Sequence, residues 1–280
     1  MLEAQRKALD FNAQSITNTL NAMSNLKHYD KVVFEVLLSE VQRKAGDFDA
    51  QGIANTLNAM SSLQHYDKPV FELLLLEAQR KTGNFNAQSI ATTLNAMSSL
   101  KHYDKAVFDL LLSEAQGKAR DFNAQNIGNT LNAMSNLKHY NKAVFELLLS
   151  EAQLKASDFN AQDVSNTLLA IAIARAYKYG PIQSLLARLQ ALSSGGVDLD
   201  EIDLRQIYLF VLGVSIEKPD MECRVPNEVL AAAKQVWSRS VQAAKSSRLH
   251  LQVSGTLTEL KISHKNEVEV GGFSCDIVIQ

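Results

Sequence analysis

From residue 10 to residue 46 the apolar positions form two helical stripes joined by a short polar turn. In the first, Ile16, Leu20 and Met23 recur at the 3.6-residue spacing of one helix face, with Leu26 one turn on. In the second, Val33, Phe34, Leu37, Leu38 and Val41 make a broader apolar face. Both stripes open alike. Asn12 and Asp30 carry short polar side chains of the kind that accept an orphan backbone N–H at a helix start. Phe11 and Tyr29 precede them, and Ile16 and Phe34 follow at the spacing of a hydrophobic staple. The pattern predicts a helical hairpin, with Gly46 closing the second helix in the left-handed conformation that glycine accepts at little cost. Pro69 lands in a first helical turn, where its missing N–H is not needed.

The same hairpin returns every 37 residues. Phe11, Phe48, Phe85, Phe122 and Phe159 mark one position of it, and Phe34, Phe71, Phe108 and Phe145 another. A fixed period of this length is the mark of a solenoid, because each unit must stack on its neighbours to bury its apolar face. The fold class expected is all-α: an α-solenoid of 37-residue hairpins, with a short α/β piece, a β-hairpin, at the C-terminus. Full repeats are expected over 10–46, 47–83, 84–120 and 121–157, and a degenerate capping repeat over 158–193 completes an array spanning 1–193. Leu2–Gln14 aligns with Leu76–Gln88, so the chain is expected to open inside the second helix of an earlier repeat. After a linker at 194–200, helices are expected at about 200–214, 226–244 and 246–262, the last burying Leu249, Val253, Leu257 and Leu260. Alternation on either side of Gly271–Gly272 then predicts two strands.

Charge narrows the function. Residues 1–157 hold 16 Lys and Arg against 16 Asp and Glu, and the whole chain has a net charge of −2. A basic footprint, which supplies much of the affinity of non-specific nucleic-acid binders, is missing from these totals. The longest apolar run, around Leu168–Ala174, falls well short of the roughly 18 residues of a membrane span. Cys223 and Cys275 match no metal or redox spacing and read as small apolar side chains.

The first helix of each full repeat bears no charged side chain on its surface face, which is a ladder of uncharged hydrogen-bonding groups. The rungs read Gln14, Asn18, Asn21, Asn25; Gln51, Asn55, Asn58, Ser62; Gln88, Thr92, Asn95, Ser99; and Gln125, Asn129, Asn132, Asn136. Amides carry a donor and an acceptor in one plane and so can meet base edges, and helical repeats that read single-stranded RNA do so with a few such side chains each. Such a reader would need variation between repeats, and Ser15, Gly52, Ser89, Asn126 and Asp163 vary at one position, Thr17, Ala54, Ala91, Gly128 and Ser165 at another. The same amides could equally be solvated, or bridge adjacent repeats. Lys27, Lys101 and Lys138 could touch phosphates, or simply offset a helix dipole. His28, His65, His102 and His139 lie one helix spacing apart, about 8–10 Å, too far to share a metal ion. No cofactor, metal site or nucleophile–base pair is predicted, and the chain reads as a non-enzyme.

The hairpins, with the motif IANTLNAM at Ile53–Met60, resemble octotricopeptide-type repeats of organellar RNA-binding proteins. They depart from that pattern in their 37-residue period and in Asn21, Asn58, Asn95 and Asn132, where related repeats often carry tryptophan. The stretches 203–212, 225–237, 247–260 and 267–279 are similar, in order, to the region leading into a RAP domain, as in FAST-kinase-like proteins. That likeness makes 201–280 the start of a truncated RAP domain, with Asp276 at the place of a nuclease-type metal aspartate whose further partners the chain does not contain. Together the resemblances imply binding of single-stranded organellar RNA in a mitochondrion or chloroplast, alongside ribonucleoprotein components and away from membranes and small-molecule substrates. The implied role is RNA processing, mRNA stability or translation. A protein-interaction scaffold built on the same solenoid is the competing expectation.

Overall fold

The computed structural model describes residues 7, 10–242, 248–260, 262–270 and 273–279, and the expected earlier helix at residues 2–9 lies almost wholly outside them. Among the described residues are thirteen α-helices and one small sheet. Helices α1 (Ala13–Asn25) and α2 (Lys31–Lys44) form the first hairpin. The second is α3 (Ala50–Ser62) with α4 (Lys68–Arg80), and the third α5 (Ala87–Ser99) with α6 (Lys105–Gly117). Then come α7 (Ala124–Asn136) with α8 (Lys142–Leu154), and α9 (Ala161–Ile173) with α10 (Tyr179–Ser194).

Each helix begins as its sequence requires. The Asn12 side chain accepts the backbone N–H of Ser15, and Asp30 that of Val33, and later repeats copy both caps. Tyr29 stands edge-on to Phe34 with ring centroids 5.7 Å apart, which is the staple in atomic form. The marker phenylalanines from Phe34 to Phe159 are all buried, in one continuous core running the length of the stack.

The second-helix ends differ from the expectation. Gly46 does not adopt a left-handed conformation; a 3-10 turn, Ala45–Asp47, carries the chain straight on to Phe48. The 3-10 turn brings the chain round into the next first helix without a left-handed residue. The left-handed residues stand instead at the end of the first helix: Lys27, Gln64, Lys101, Lys138 and Arg175, with φ between 49° and 54°. There His28 N–H reaches Met23 O at 2.9 Å and Lys27 N–H reaches Ser24 O at 3.0 Å, the paired bonds of a Schellman ending.

Residue 193 is not where stacking stops. Helix α11 (Glu201–Glu217) lies against α9 as the next first helix, burying Leu204, Ile207 and Phe210, and α12 (Asn227–Gln242) packs on α11 in turn. Helix α13 (Arg248–Glu259) follows, then β1 (His264–Val270) and β2 (Phe273–Ile279), paired antiparallel with Val270 opposite Phe273. The Gly271–Gly272 turn itself lies outside the described residues. Of the stripe expected on the last helix, Val253 and Leu260 are exposed and Leu257 is half-buried, while the side chain of Leu249 lies outside the described residues. The elements α13 packs on are β1 and β2, and a two-stranded sheet is too small to cover a helix face.

Two layers result. Successive first helices pack along their length, whereas successive second helices meet at fewer points. The reason is side-chain size. The first-helix interfaces are built from small residues such as Gly52, Ala54, Ser61, Ala91, Ala96 and Gly128, all buried, while the second helices hold each other off with Phe, Leu and Val. A stack that is closer on one side bends toward that side, so the first-helix layer lines the inside of the curve. No described helix is long and apolar enough to cross a membrane.

Candidate nucleic-acid interface

The ladder residues face out of the inner layer. Gln14, Asn18, Asn25, Gln51, Ser62, Gln88, Ser99, Gln125 and Asn136 are exposed, and Asn21, Asn55, Asn58, Thr92, Asn95, Asn129 and Asn132 are half-buried. The helix period explains this split, since the middle two residues of each rung point between neighbouring helices; Asn18, in the first described hairpin, is the exception. Of the ladder residues, only those of the last rung have side-chain hydrogen bonds among the described residues: Asn136 donates to Asn132 Oδ1 at 3.2 Å and to Ser98 Oγ at 3.4 Å. Among the described residues the other ladder side chains have no hydrogen-bond partner in the protein, so they are not locked into an inter-repeat amide network. One shallow cleft of about 300 Å³ runs between Gln14 and Asn18 on one helix and Gln51 and Asn55 on the next.

The two variable positions are not readers. Gly52, Ser89, Asn126 and Asp163 are buried, as are Thr17, Ala54, Ala91, Gly128 and Ser165; only Ser15, with no earlier first helix against it, is half-buried. They face one another across the inter-helix seam. A Cβ added at Gly52 would lie 3.2 Å from Thr17 Oγ1, one at Gly128 would lie 3.4 Å from the Asp163 carbonyl oxygen, and Ser165 Oγ donates to Asp203 Oδ1 at 2.6 Å. Variation here is size matching between neighbours: Gly52 stands opposite Thr17, and Gly128 opposite Asp163.

The seam closes further at its C-terminal end. Asn166 is buried and accepts from Gln206 Nε2 at 3.0 Å. Burial raises the Asp163 carboxyl above the usual range, with Asp203 adding repulsion; burial likewise raises Asp203, although the Ser165 hydroxyl opposes it. Beyond the fourth rung the inner face turns apolar, with Leu169 half-buried and Ile173 and Ile216 exposed.

Lys27, Lys101 and Lys138 are exposed at the ends of the first helices and make no ion pair or hydrogen bond among the described residues. Three of the four repeat histidines pair with tyrosines: Tyr29 Oη lies 2.6 Å from His65 Nδ1, and Tyr66–His102 and Tyr103–His139 repeat the contact. They clasp one repeat to the next. No group of three His, Cys, Asp or Glu placed to hold a metal occurs among the described residues. Cys223 is half-buried, and its thiol is pushed up by burial. Asp276 lies within β2, and its side chain is outside the described set.

The family model of the RNA-editing substrate-binding complex 6 protein matches residues 3–180, well over half the chain. The chain belongs to this family. It is thereby an RNA-associated helical protein, and the matched span takes in the four full hairpins and α9. No curated protein matches it. What reading the sequence missed at this RNA-editing substrate-binding complex 6 family surface is the tyrosine row. Tyr29, Tyr66, Tyr103 and Tyr140 are 42–46 % exposed, and the signal was present in their 37-residue recurrence beside the lysines.

Proposed function

We propose that this protein holds single-stranded RNA substrates for an RNA-editing complex, in the mitochondrion, with the strand lying along the first-helix layer. Family membership supports the editing role, and editing complexes of this kind are mitochondrial in kinetoplastids. The observation that carries the reading is the inner face itself: four stacked rungs of uncharged amides and hydroxyls, mostly without partners in the protein. Amides so placed offer hydrogen bonds to base edges without an electrostatic preference for any strand. The protein carries RNA and does no chemistry on it, and the likeness of residues 201–280 to the start of a RAP domain fits the same RNA-handling role.

The test is an RNA selection on the wild-type protein, followed by affinity measurements on the selected strand and a shuffled version of it. Alanine at Asn18, Asn55 and Asn129 together should weaken the selected strand more than the shuffled one. Equal losses on the two remove base readout. A second reading applies to the far end of the array, where exposed Ile173 and Ile216 and half-buried Leu169 replace the amides. That end suits a protein partner within a ribonucleoprotein assembly, and pull-down of such components should depend on Ile173 and Ile216 but not on Asn18.

A further inference from the structure

The turn joining the two helices of each hairpin carries features that amide readout leaves unused. Tyr29, Tyr66, Tyr103 and Tyr140 present 42–46 % of their surface to water. Three of these rings are fixed twice over, by the hydroxyl contact of 2.6 Å to a histidine of the next repeat and by an edge contact with Phe34, Phe71 or Phe108 at 5.7–5.9 Å. An immobilised aromatic surface loses little freedom when a base stacks on it.

Cations stand beside the rings. Of the lysines between residues 10 and 157, Lys31, Lys44, Lys68, Lys81, Lys105, Lys118 and Lys155 each have a carboxylate within 3.7 Å. Lys27, Lys101, Lys138 and Lys142 have none among the described residues. The carboxylate that would serve Lys142, Glu146, is taken by Lys178 at 3.2 Å, and Asn141 stands where the other turns carry Asp30, Asp67 and Asp104. Three of the four occupy left-handed backbone, which disfavours any residue with a Cβ and for which glycine or asparagine would be the easier choice. At the equivalent place Gln64 folds its amide back onto the Ser61 carbonyl at 2.8 Å; the lysines do not fold back. The opposite edge of the inner layer mixes signs: exposed Asp10, Asp47 and Asp121 at the starts of the first helices stand beside Lys44, Lys81 and Lys118.

The geometry points to this turn edge as a second RNA track, indifferent to sequence, on which bases stack against the tyrosine row and Lys27, Lys101, Lys138 and Lys142 neutralise phosphates. It deepens the RNA reading above and rests on it. Aromatic platforms flanked by cations bind single strands through stacking and counterion release, neither of which depends on base identity. The amides would then choose among strands that the edge already holds.

The experiment measures affinity of the full chain for oligouridylate and oligoadenylate strands of equal length across a salt series. Lys27→Gln, Lys101→Gln and Lys138→Gln together, which copy the natural Gln64, should lower the slope of log affinity against log salt by about 2 on both strands. Gln64→Lys should steepen it by about 0.7 and tighten binding. Tyr66→Leu or Tyr103→Leu should weaken both strands about tenfold, whereas Tyr→Phe at either position stays near wild type. Melting curves accompany each variant, and the gain from Gln64→Lys does not depend on surviving a destabilising change. Saturable wild-type binding with unchanged slopes in both lysine experiments, or equal binding by the Leu and Phe variants, overturns the track and leaves amide readout standing. Absence of saturable wild-type binding to any strand at low salt overturns both.

Discussion

The two helices of each repeat share a period and a core, yet they spend their polar residues in opposite ways. Along the second-helix layer charge is consumed by construction. Glu40, Glu77 and Glu151 are buried, and each pairs with the lysine four residues on. That lysine reaches back one repeat: Lys81 Nζ donates to the carbonyls of Gly46 and Phe48 at 2.7 and 2.6 Å, and Lys118 and Lys155 repeat the pattern. Arg188 performs the same task on Phe159 O in the fifth hairpin. Along the first-helix layer of the four full repeats the helices carry neutral polar groups and pack closely, so no charge is needed to join them and most of the outward amides remain free. A charge total near zero therefore conceals a division: the carboxylates and lysines of the second layer cancel one another in place, and the few unpaired lysines sit together at one edge.

The contrast can be broken from several sides. The largest effect belongs to the shared core: Phe108→Ala should cost on the order of 3–5 kcal/mol in chemical denaturation, since the ring is fully buried and a cavity would remain. Next comes the charged staple. Lys81→Met removes the partner of buried Glu77 and the donor to two carbonyls, and should cost about 2 kcal/mol, Arg80 retaining part of the pairing. The close seam of the first layer gives a graded result: Gly128→Ala should be tolerated, its Cβ finding only ordinary contacts at 3.4–3.6 Å, whereas Gly128→Leu should cost about 1–3 kcal/mol through overpacking.

A smaller effect concerns pH. Asp163 and Asp203 have raised folded-state values, so between the ordinary carboxylate value of about 4 and those raised values the folded protein binds protons that the unfolded chain does not. Stability contributed by these groups is present at lower pH and is lost as pH rises through that window. Asp203→Asn should flatten this dependence in a pH series of melting temperatures. The least effect on stability should come from Asn55→Ala, within about 0.5 kcal/mol, because the amide has no partner in the protein. A larger loss there would mean that the amide ladder holds the repeats together.

Much of this was legible along the chain. The period, the caps at Asn12 and Asp30, the staple pairs and the two-residue hairpin all rest on local spacing, and local spacing is what a sequence displays directly. The ladder faces outward as its helical period implies. Other features were hidden. The variable residues looked like a code because variation between repeats has two causes, recognition and fit, and only the seam reveals that Gly52 meets Thr17 and Gly128 meets Asp163. Gly46 looked like a helix stop because glycine permits a left-handed turn, but permission is not requirement, and the 3-10 turn leaves it unused. The tyrosines looked wholly structural because a staple explains one side of the ring and is silent about the other.

The amino-acid sequence alone determined that hairpins repeat, where each helix begins, and which side chains share a face, because these follow from backbone periodicity and capping within a few residues. Only the tertiary structure decided which layer is inside, which lysines remain unpaired, and that stacking runs on through α11. The layering and the continued stacking depend on contacts between residues some 37 positions apart, where small side chains let one layer draw close; the lysine pairs are i,i+4 contacts within single helices, except that Lys178 of the next hairpin takes Glu146 and leaves Lys142 to solvent.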